Sequence, residues 1–388
     1  MSEIDGHIQL KSTIFLPSEL AQIAPDVTLN KYINAGYRPS LRRFNEFKPV
    51  IISKAGISRY DTSINGKAEE MNESTSVIGS SSVKCGETSA ICMISAGIIE
   101  DDFEAVNDYR TRLDADIIVD NDKEEIENVL GGELLSENGC VYPVVEIAKG
   151  STGPPGDEEV ELGEKLFETL LHSGLINRDE LKIDIGLKSI DENGDEVILK
   201  GEEANIQKKF SFVLYARIQV FGRTGPLFDQ CYAALIKALK DTKLPDVYLN
   251  ERESSLRTRT GKRNANVNIQ TYDLVCDQVK YRELKLRNDR ICWASTLGIV
   301  NVKEERHDEE GDAEMSESNH IGKTIILSDL EGEAEDNIMK RIIALSNGND
   351  EFASITIERG TGERLTKDVI KKALKLSQVR ASDMIKKL

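Results

Sequence analysis

The residues best placed to do chemistry form one short run, Gly222-Arg223-Thr224-Gly225-Pro226-Leu227-Phe228-Asp229. A glycine turn leading from a strand into a helix leaves backbone N–H groups free and aims the positive end of the helix dipole forward, an arrangement suited to holding a phosphate. The spacing, however, matches neither GxGxxG nor GxxxxGK[ST]. Asp229 also places a carboxylate in the first turn, where it suits the dipole but repels a phosphate. A plain connecting turn therefore competes with an anion site. Other chemistry is thinly supplied. The four histidines are scattered, and His172 near the end of an expected helix reads as a surface residue facing the dipole rather than as a base. Six cysteines (Cys85, Cys92, Cys140, Cys231, Cys276, Cys292) lie in apolar or strand-like contexts without a CxxC pair, so they read as buried free thiols. Neither a metal site nor a cofactor is expected.

The turn is held by two elements that the sequence marks clearly. From Phe210 to Val220, Phe210, Phe212, Leu214, Ala216, Ile218 and Val220 alternate with Ser211, Tyr215, Arg217 and Gln219, the period-2 pattern of a half-buried strand. Gly222 to Pro226 breaks it, with Pro226 preset for a first helical turn. From Phe228 onward, Phe228, Tyr232, Leu235, Ile236 and Leu239 share one helical face, and Ala233, Ala234 and Ala238 permit close approach to a sheet.

Length bounds the rest. With 388 residues, at ~100–200 residues per domain, two lobes or one large domain with insertions are expected. The longest apolar run, Ala90 to Ile99, falls far short of the ~20 residues that span a bilayer, and the first residues lack the basic and apolar regions of a secretory signal. No membrane association is expected, and cytosol or nucleus is favoured. The formal charge of -18 argues against an independent nucleic-acid binder. Its distribution changes that reading. Residues 100–137 hold 14 acidic and 3 basic side chains and residues 302–336 hold 13 and 3, so these stretches carry -21 and the remainder is near neutral. Within the remainder, residues 31–54 carry 6 basic side chains against 1 acidic, and residues 252–290 carry 10 against 5.

In chain order, a short helix is expected from Ser18 to Leu29, with Ser18 as its cap, followed by a basic and aromatic cluster from Asn30 to Phe47. Pro49 to Ile57 and Thr75 to Ile99 read as strands, as does Val141 to Ile147 beyond the acidic stretch. Glu161 to Leu175 is a helix, Leu181 to Ser189 a strand, and Val197 to Leu199 its return after a turn at Asp191 to Asp195. Past Leu249, strands are expected at Val267 to Cys276, Glu283 to Leu286, Ile291 to Val300 and Thr324 to Ser328. Helices are expected at Glu333 to Ser346 and Thr366 to Leu388, capped by Asp329 or Asp336 and by Thr366. Strands followed by helices in both halves point to two similar α/β lobes.

Several of these stretches together resemble one family. GYRPSLRRFNEFKPV (36–50), VIGSSSVKCGETSAICMISAGIIE (77–100), VYPVVEIAKG (141–150), SFVLYARIQVFGRTGPLFDQCYAALIKALKDTKLPDVYLNER (211–252) and ASTLGIV (294–300) are similar, in order and spacing, to the RNase PH-like subunits of the eukaryotic RNA exosome ring. The resemblance covers roughly residue 30 to the C-terminus apart from the acidic inserts. It implies an α/β (α+β) RNase PH-like fold of two βαβ-rich lobes, each a mixed sheet packed against helices. The expected division is an N-terminal extension (1–30), a first lobe (31–250) with an acidic insert (100–137), and a second lobe (251–388) with an acidic loop (302–320). It also implies partners: other RNase PH-like ring subunits, cap subunits, associated nuclease subunits, and RNA threaded through a central channel, in nucleus, nucleolus and cytoplasm.

Catalysis is not implied. Active members of the family hold inorganic phosphate with an arginine in the glycine turn and position it with paired aspartates from the second lobe. Here the arginine position falls on Phe228, next to Asp229, and the aspartate pair falls near Glu283 and Asp289, with Lys285 and Arg287 between them. Active relatives carry Arg-x-Asp-Gly-Arg near the N-terminus, where this chain has Arg38-Pro39-Ser40-Leu41-Arg42. Losing one charge-assisted contact costs ~2–4 kcal/mol of transition-state stabilisation, so losing several leaves no useful activity. The expected role is an inert structural subunit supporting 3′-5′ RNA processing and degradation. Gly225, Phe228 and Asp229 would be remnants of a phosphate site. Arg252, Arg257, Arg259, Lys262, Arg263, Arg38, Arg42 and Arg43 are candidates for RNA contact, with a protein interface open as the alternative for the basic stretches. The rival is an active phosphate-dependent 3′-5′ exoribonuclease, and a third reading is an α/β protein with an unrelated small-molecule site.

Overall fold

The computed structural model describes residues 15–60, 76–101, 140–150, 153–190, 196–200, 209–250, 256–258, 268–270, 274–302, 323–347, 351–358 and 365–388. Two short helices come first, α1 (Pro17–Ile23) and α2 (Pro25–Asn34), each with proline in its first turn, where the missing N–H would have had no helical partner. One helix from Ser18 to Leu29 was the expectation. Pro25 divides it, because the residue before a proline is pushed out of the helical region, and Ala24 sits at φ -141°. The cap is Leu16 rather than Ser18, its N–H donating to Glu19 Oε2 at 3.1 Å.

The first sheet uses β1 (Val50–Ser53), β2 (Val77–Cys85), β3 (Thr88–Asp101) and β4 (Val141–Ile147). Next come helices α3 (Asp157–Ser173) and α4 (Arg178–Leu181), then β5 (Lys182–Ile183), β6 (Gly186–Ile190), β7 (Glu196–Lys200) and β8 (Lys209–Phe221). Its order is β1-β2-β3-β8-β4, antiparallel except that β4 runs parallel to β8, and β5 pairs with the start of β8. β8 alternates as expected: Phe212, Leu214, Ala216, Ile218 and Val220 are buried while Tyr215 and Arg217 face outward.

The glycine turn then leads into α5 (Phe228–Lys240), in which nine residues are buried on nearly every side. A helix that is apolar all round must be covered all round. Strands β2 and β3 cover one side. The other is covered from the second half, which follows β9 (Lys243–Asn250), the last strand of the first half, and contains β10 (Leu256–Thr258), β11 (Asn268–Gln270), β12 (Leu274–Glu283), β13 (Trp293–Val302), β14 (Lys323–Ser328), α6 (Gly332–Asp336), β15 (Arg341–Ser346), β16 (Phe352–Glu358) and α7 (Lys367–Ile385). There β14-β13-β15-β16 form a sheet that is antiparallel throughout, and β13 lies against α5. A third sheet, β12-β9-β6-β7, includes the expected β6–β7 hairpin, and its β9–β12 pair joins the chain across residue 250, so the two halves share a sheet.

The expected helix from Glu333 to Ser346 is replaced by the short α6 and the strand β15. The run Arg341-Ile342-Ile343-Ala344-Leu345-Ser346 fills the place between β13 and β16, where Ile342 pairs with Leu297 on one side and Ile357 on the other. Two β-branched side chains and cross-strand pairing on both edges outweigh the helical spacing. The cap of α6 is Glu331, not Asp329 or Asp336. Expected strands at Val267 to Cys276 and Glu283 to Leu286 become β11 and β12, with an irregularity between Cys276 and Tyr281, and Leu286 makes only an isolated bridge to Ile176.

Candidate functional site

The glycine turn is closed by the chain itself. Gly225 has φ 143°, and a Cβ there would lie 2.5 Å from the carbonyl oxygen of Leu330, so only glycine fits. The Gly332 N–H donates to Thr224 O at 3.0 Å, and the Thr224 N–H donates to Thr88 Oγ1 at 3.2 Å. Arg223 turns away to pair with Glu158 (2.9 Å) and Asp336 (2.8 Å).

Behind the turn, Phe228 is 6% exposed and stacks on Tyr232 with ring centroids 6.1 Å apart. The Asp229 carboxylate is half-buried and accepts from the Thr296 backbone N–H (2.6 Å) and hydroxyl (2.8 Å). Burial, reinforced by the nearby Asp329, pushes its pKa up to about 7, against the Thr296 hydrogen bonds and Arg380. Asp229 and Asp329 line the same narrow cleft, with Arg380 as its cation. An anion therefore gains little there.

The basic N-terminal segment converges on the same place from the other side, and here the structure corrects the sequence reading. Arg38 is 0% exposed. Its Nε donates to Glu335 Oε1 at 2.9 Å, a second nitrogen pairs with Glu335 Oε2, and the remaining donors reach Ser328 O (2.7 Å) and Asp329 O (3.1 Å). With the side chain fully buried, none of its donors is open to RNA. Arg42 is engaged by Asp329 O (2.8 Å), Glu46 O (3.0 Å) and the Glu331 carboxylate (3.0 Å), while its buried Nε has no partner among the described residues. Arg43 alone of the three is exposed. The Lys48 N–H donates to Asp329 Oδ2 at 2.8 Å, and Arg380 donates to Lys48 O at 2.7 Å while lying over the Phe47 ring. Asp329 itself sits at φ 51°, rare for a residue with a side chain. The turn 328–336 thus gathers Arg38, Arg42 and Gly225, with Asp229 close enough to feel the Asp329 charge, while the buried Arg42 Nε and Ser328 Oγ have no hydrogen-bond partner among the described residues.

Glu335, Asp329 and Arg380 were missed as its partners. The first two lie within a generally acidic stretch and read as caps or solvated charge, and Arg380 is one cation of several on α7. No local signal tells a buried ion pair from a surface one.

The remaining candidates lie elsewhere. Glu283, Lys285, Arg287 and Asp289 are exposed. Their stretch is tied down by Arg287 N–H to Leu175 O (3.0 Å), and Asp289 has Arg290 as a loose partner at 3.8 Å. Among the described residues, no hydrogen bond or ion pair joins this stretch to Phe228 or Asp229. Arg257 lies on β10, opposite Ile269 of β11. Its side chain, together with Arg252, Arg259, Lys262 and Arg263, lies outside the described residues. His172 is exposed in the last turn of α3. Of the six cysteines, Cys85, Cys92, Cys231 and Cys292 are buried and all six are free. No three His, Cys, Asp or Glu side chains gather as metal ligands among the described residues, and no described helix is long and apolar enough to cross a membrane.

With this geometry in hand, comparison with known proteins gives a consistent picture. The model of the 3′ exoribonuclease family, domain 1 (RNase PH), matches residues 46–245. The exosome complex component rrp43 of Schizosaccharomyces pombe is 25% identical over 256 residues, which span 65% of this chain and 68% of that protein. Among solved structures, the Archaeoglobus fulgidus exosome with RNA bound to the active site is similar over 95% of this chain and 99% of its own, with a TM-score of 0.53 and 15% identity. An archaeal exosome core is similar over 95% and 98%, with a TM-score of 0.50 and 14% identity. At these identities the structural likeness speaks for the fold alone.

Proposed function

Because the chain belongs to the 3′ exoribonuclease family and has its RNase PH-like fold, we propose that it is a non-catalytic subunit of an RNA exosome core ring. The likeness to the rrp43 component supports the placement in an exosome. The observation that carries the inert reading is the state of the glycine turn. Phe228 occupies the position that the resemblance assigns to a phosphate-holding arginine, the Leu330 carbonyl faces Gly225, and the half-buried carboxylate next in sequence is held by Thr296. A phosphate would lose its cationic partner and meet negative charge instead.

As a ring subunit the chain works by shape: it holds neighbouring RNase PH-like subunits and cap subunits, lines part of the RNA path, and delivers RNA to associated nuclease subunits, in nucleus, nucleolus and cytoplasm. In support of an assembly role, the outward face of the first sheet carries Tyr142, Val144, Tyr215 and Phe221, each 41% to 54% exposed, where a solvated face would alternate to polar residues. The division into two lobes at residue 250 and the RNA contacts of Arg252, Arg257, Arg259, Lys262 and Arg263 belong to the same proposal. The test is incubation of the purified chain with single-stranded RNA and inorganic phosphate. No nucleoside diphosphates above a heat-killed control are expected. Release that survives further purification would replace this reading with the active exoribonuclease.

A further inference from the structure

The loop from Tyr37 to Arg43 turns two of its three arginines, Arg38 and Arg42, inward and its apolar groups outward. Leu41 is 77% exposed and Tyr37 60% exposed. Leu41 also sits at φ 60°, in the left-handed region that a leucine rarely adopts. Such a conformation survives only where its surroundings over-determine it. Here they do: Arg38 is locked to Glu335, Ser328 and Asp329, Arg42 is locked to Asp329, Glu331 and Glu46, and the Leu41 N–H donates to Arg38 O at 2.9 Å. The two arginines act as a rigid base beneath an apolar tip. Around the same short helix α6, on which α1 and α2 pack, further apolar side chains stand in solvent: Leu16 (62%), Ile23 (66%), Val27 (48%) and, just beyond α6, Met339 (73%).

We propose that the 37–43 loop is a preformed protein-docking knob, taken by an apolar pocket with an acidic rim on another subunit of the complex. The proposal rests on the exosome reading above and names a contact surface within it. Protein is favoured over RNA by the loop's own chemistry. Phosphate contacts need accessible guanidinium groups, whereas Arg38 is fully buried and Arg42 is held against Asp329, Glu46 and Glu331, and an exposed leucine gives a nucleic acid nothing to bind. Tyr37 and the exposed Arg43 are residue types enriched where proteins bind each other tightly, and Leu41 supplies apolar surface to bury. A tip already held in one conformation also avoids most of the ordering cost of association. Arg43 at the edge sets the acidic character of the matching rim.

The test co-expresses the full chain with the RNase PH-like ring and cap subunits and measures its dissociation from the assembly by native mass spectrometry across a dilution series. Leu41→Gly removes the anchor and relieves the strained φ, and Leu41→Asn keeps a side chain that tolerates the same φ. Both variants are expected to melt no lower than the wild-type chain yet to dissociate about 10- to 100-fold more readily, the change that burial of one leucine carries. Tyr37→Ser should act in the same direction. Retention of both Leu41 variants at wild-type affinity overturns the inference. So does normal assembly with weakened RNA binding, which assigns the loop to RNA, or failure of both variants to fold, which makes Leu41 a structural residue. If the wild-type chain itself does not join the assembly, the exosome reading fails first and the inference falls with it.

Discussion

Replacing Arg38 by methionine should destabilise the fold by about 3–5 kcal/mol, the usual cost of removing one partner from a buried ion pair. The structure places the effect at the high-cost end for a single side chain. Arg38 makes four hydrogen bonds, and both it and Glu335 have fully buried side chains. Without it, Glu335 keeps the Glu331 N–H at 2.9 Å but no cation, whereas Asp329 O keeps Arg42 at 2.8 Å and contributes little further loss. The double change Arg38→Met with Glu335→Leu removes both charges together and should recover most of that loss, because an apolar pair of similar volume is often neutral or better. Urea unfolding of the four chains of this cycle, followed by circular dichroism, measures both quantities. A single-variant cost below about 1 kcal/mol, or a double variant less stable than Arg38→Met alone, would refute the reasoning. The cycle also separates the buried clasp from RNA contact. An arginine serving RNA would lower affinity on replacement while leaving the unfolding midpoint in place.

Asp229 should make stability pH-dependent in an uncommon direction. Its folded pKa of about 7 lies above the unfolded value of ~3.9, so the folded state binds the extra proton, and stability should fall as pH rises from about 4 to about 7 and level off above. Asp229→Asn, which can still pair with Thr296, should flatten that slope in melting curves from pH 4 to 8; an unchanged slope would assign the dependence to other groups. Phe228→Arg should not restore phosphorolysis, since the Leu330 carbonyl still faces Gly225, and should destabilise by about 2–4 kcal/mol through a buried charge; nucleoside diphosphate release by this variant would show the site to be recoverable. Because Val302 pairs with Lys323, replacing residues 304–321 by four Gly/Ser residues should leave assembly intact and unfolding within about 1 kcal/mol, whereas exclusion from the complex would mark that loop as a docking element. Changing Arg257, Arg259 and Arg263 to Glu should weaken RNA binding by the assembled ring and remove ~0.7 from the salt slope per lost contact, with an unchanged slope placing these residues away from RNA.

The first sheet and α5 could be read from the sequence because their patterns are local: a period of two over eleven residues, a glycine break, then a helical repeat. The strand β15 could not. Its six residues satisfy either period, and only pairing with β13 and β16, one of them far back in the sequence, decides between them. The same limit governed the site. Phe228 and Asp229 stand out by type in the glycine turn, but the fate of Arg38 depended on a carboxylate 297 residues away, and the charge pattern of the N-terminal segment alone suited an open nucleic-acid surface equally well. Gly225 was legible as a turn glycine, whereas the Leu330 backbone that requires it was not.

The span between Arg38 and Glu335 also bears on how the chain is made. At about 5–20 residues per second, the N-terminal segment waits roughly 15–60 s on the ribosome before its partner turn is synthesised, and longer for Arg380. Until then a cationic, aromatic stretch has no ligand within the chain and α5 lacks the β13 side of its cover. Pairings of such high contact order form late and slowly. The emerging first half is therefore the period of greatest exposure to aggregation and to chaperones, and an order of synthesis that brings the last ~70 residues forward, as in a circular permutant opening near residue 320, should shorten it.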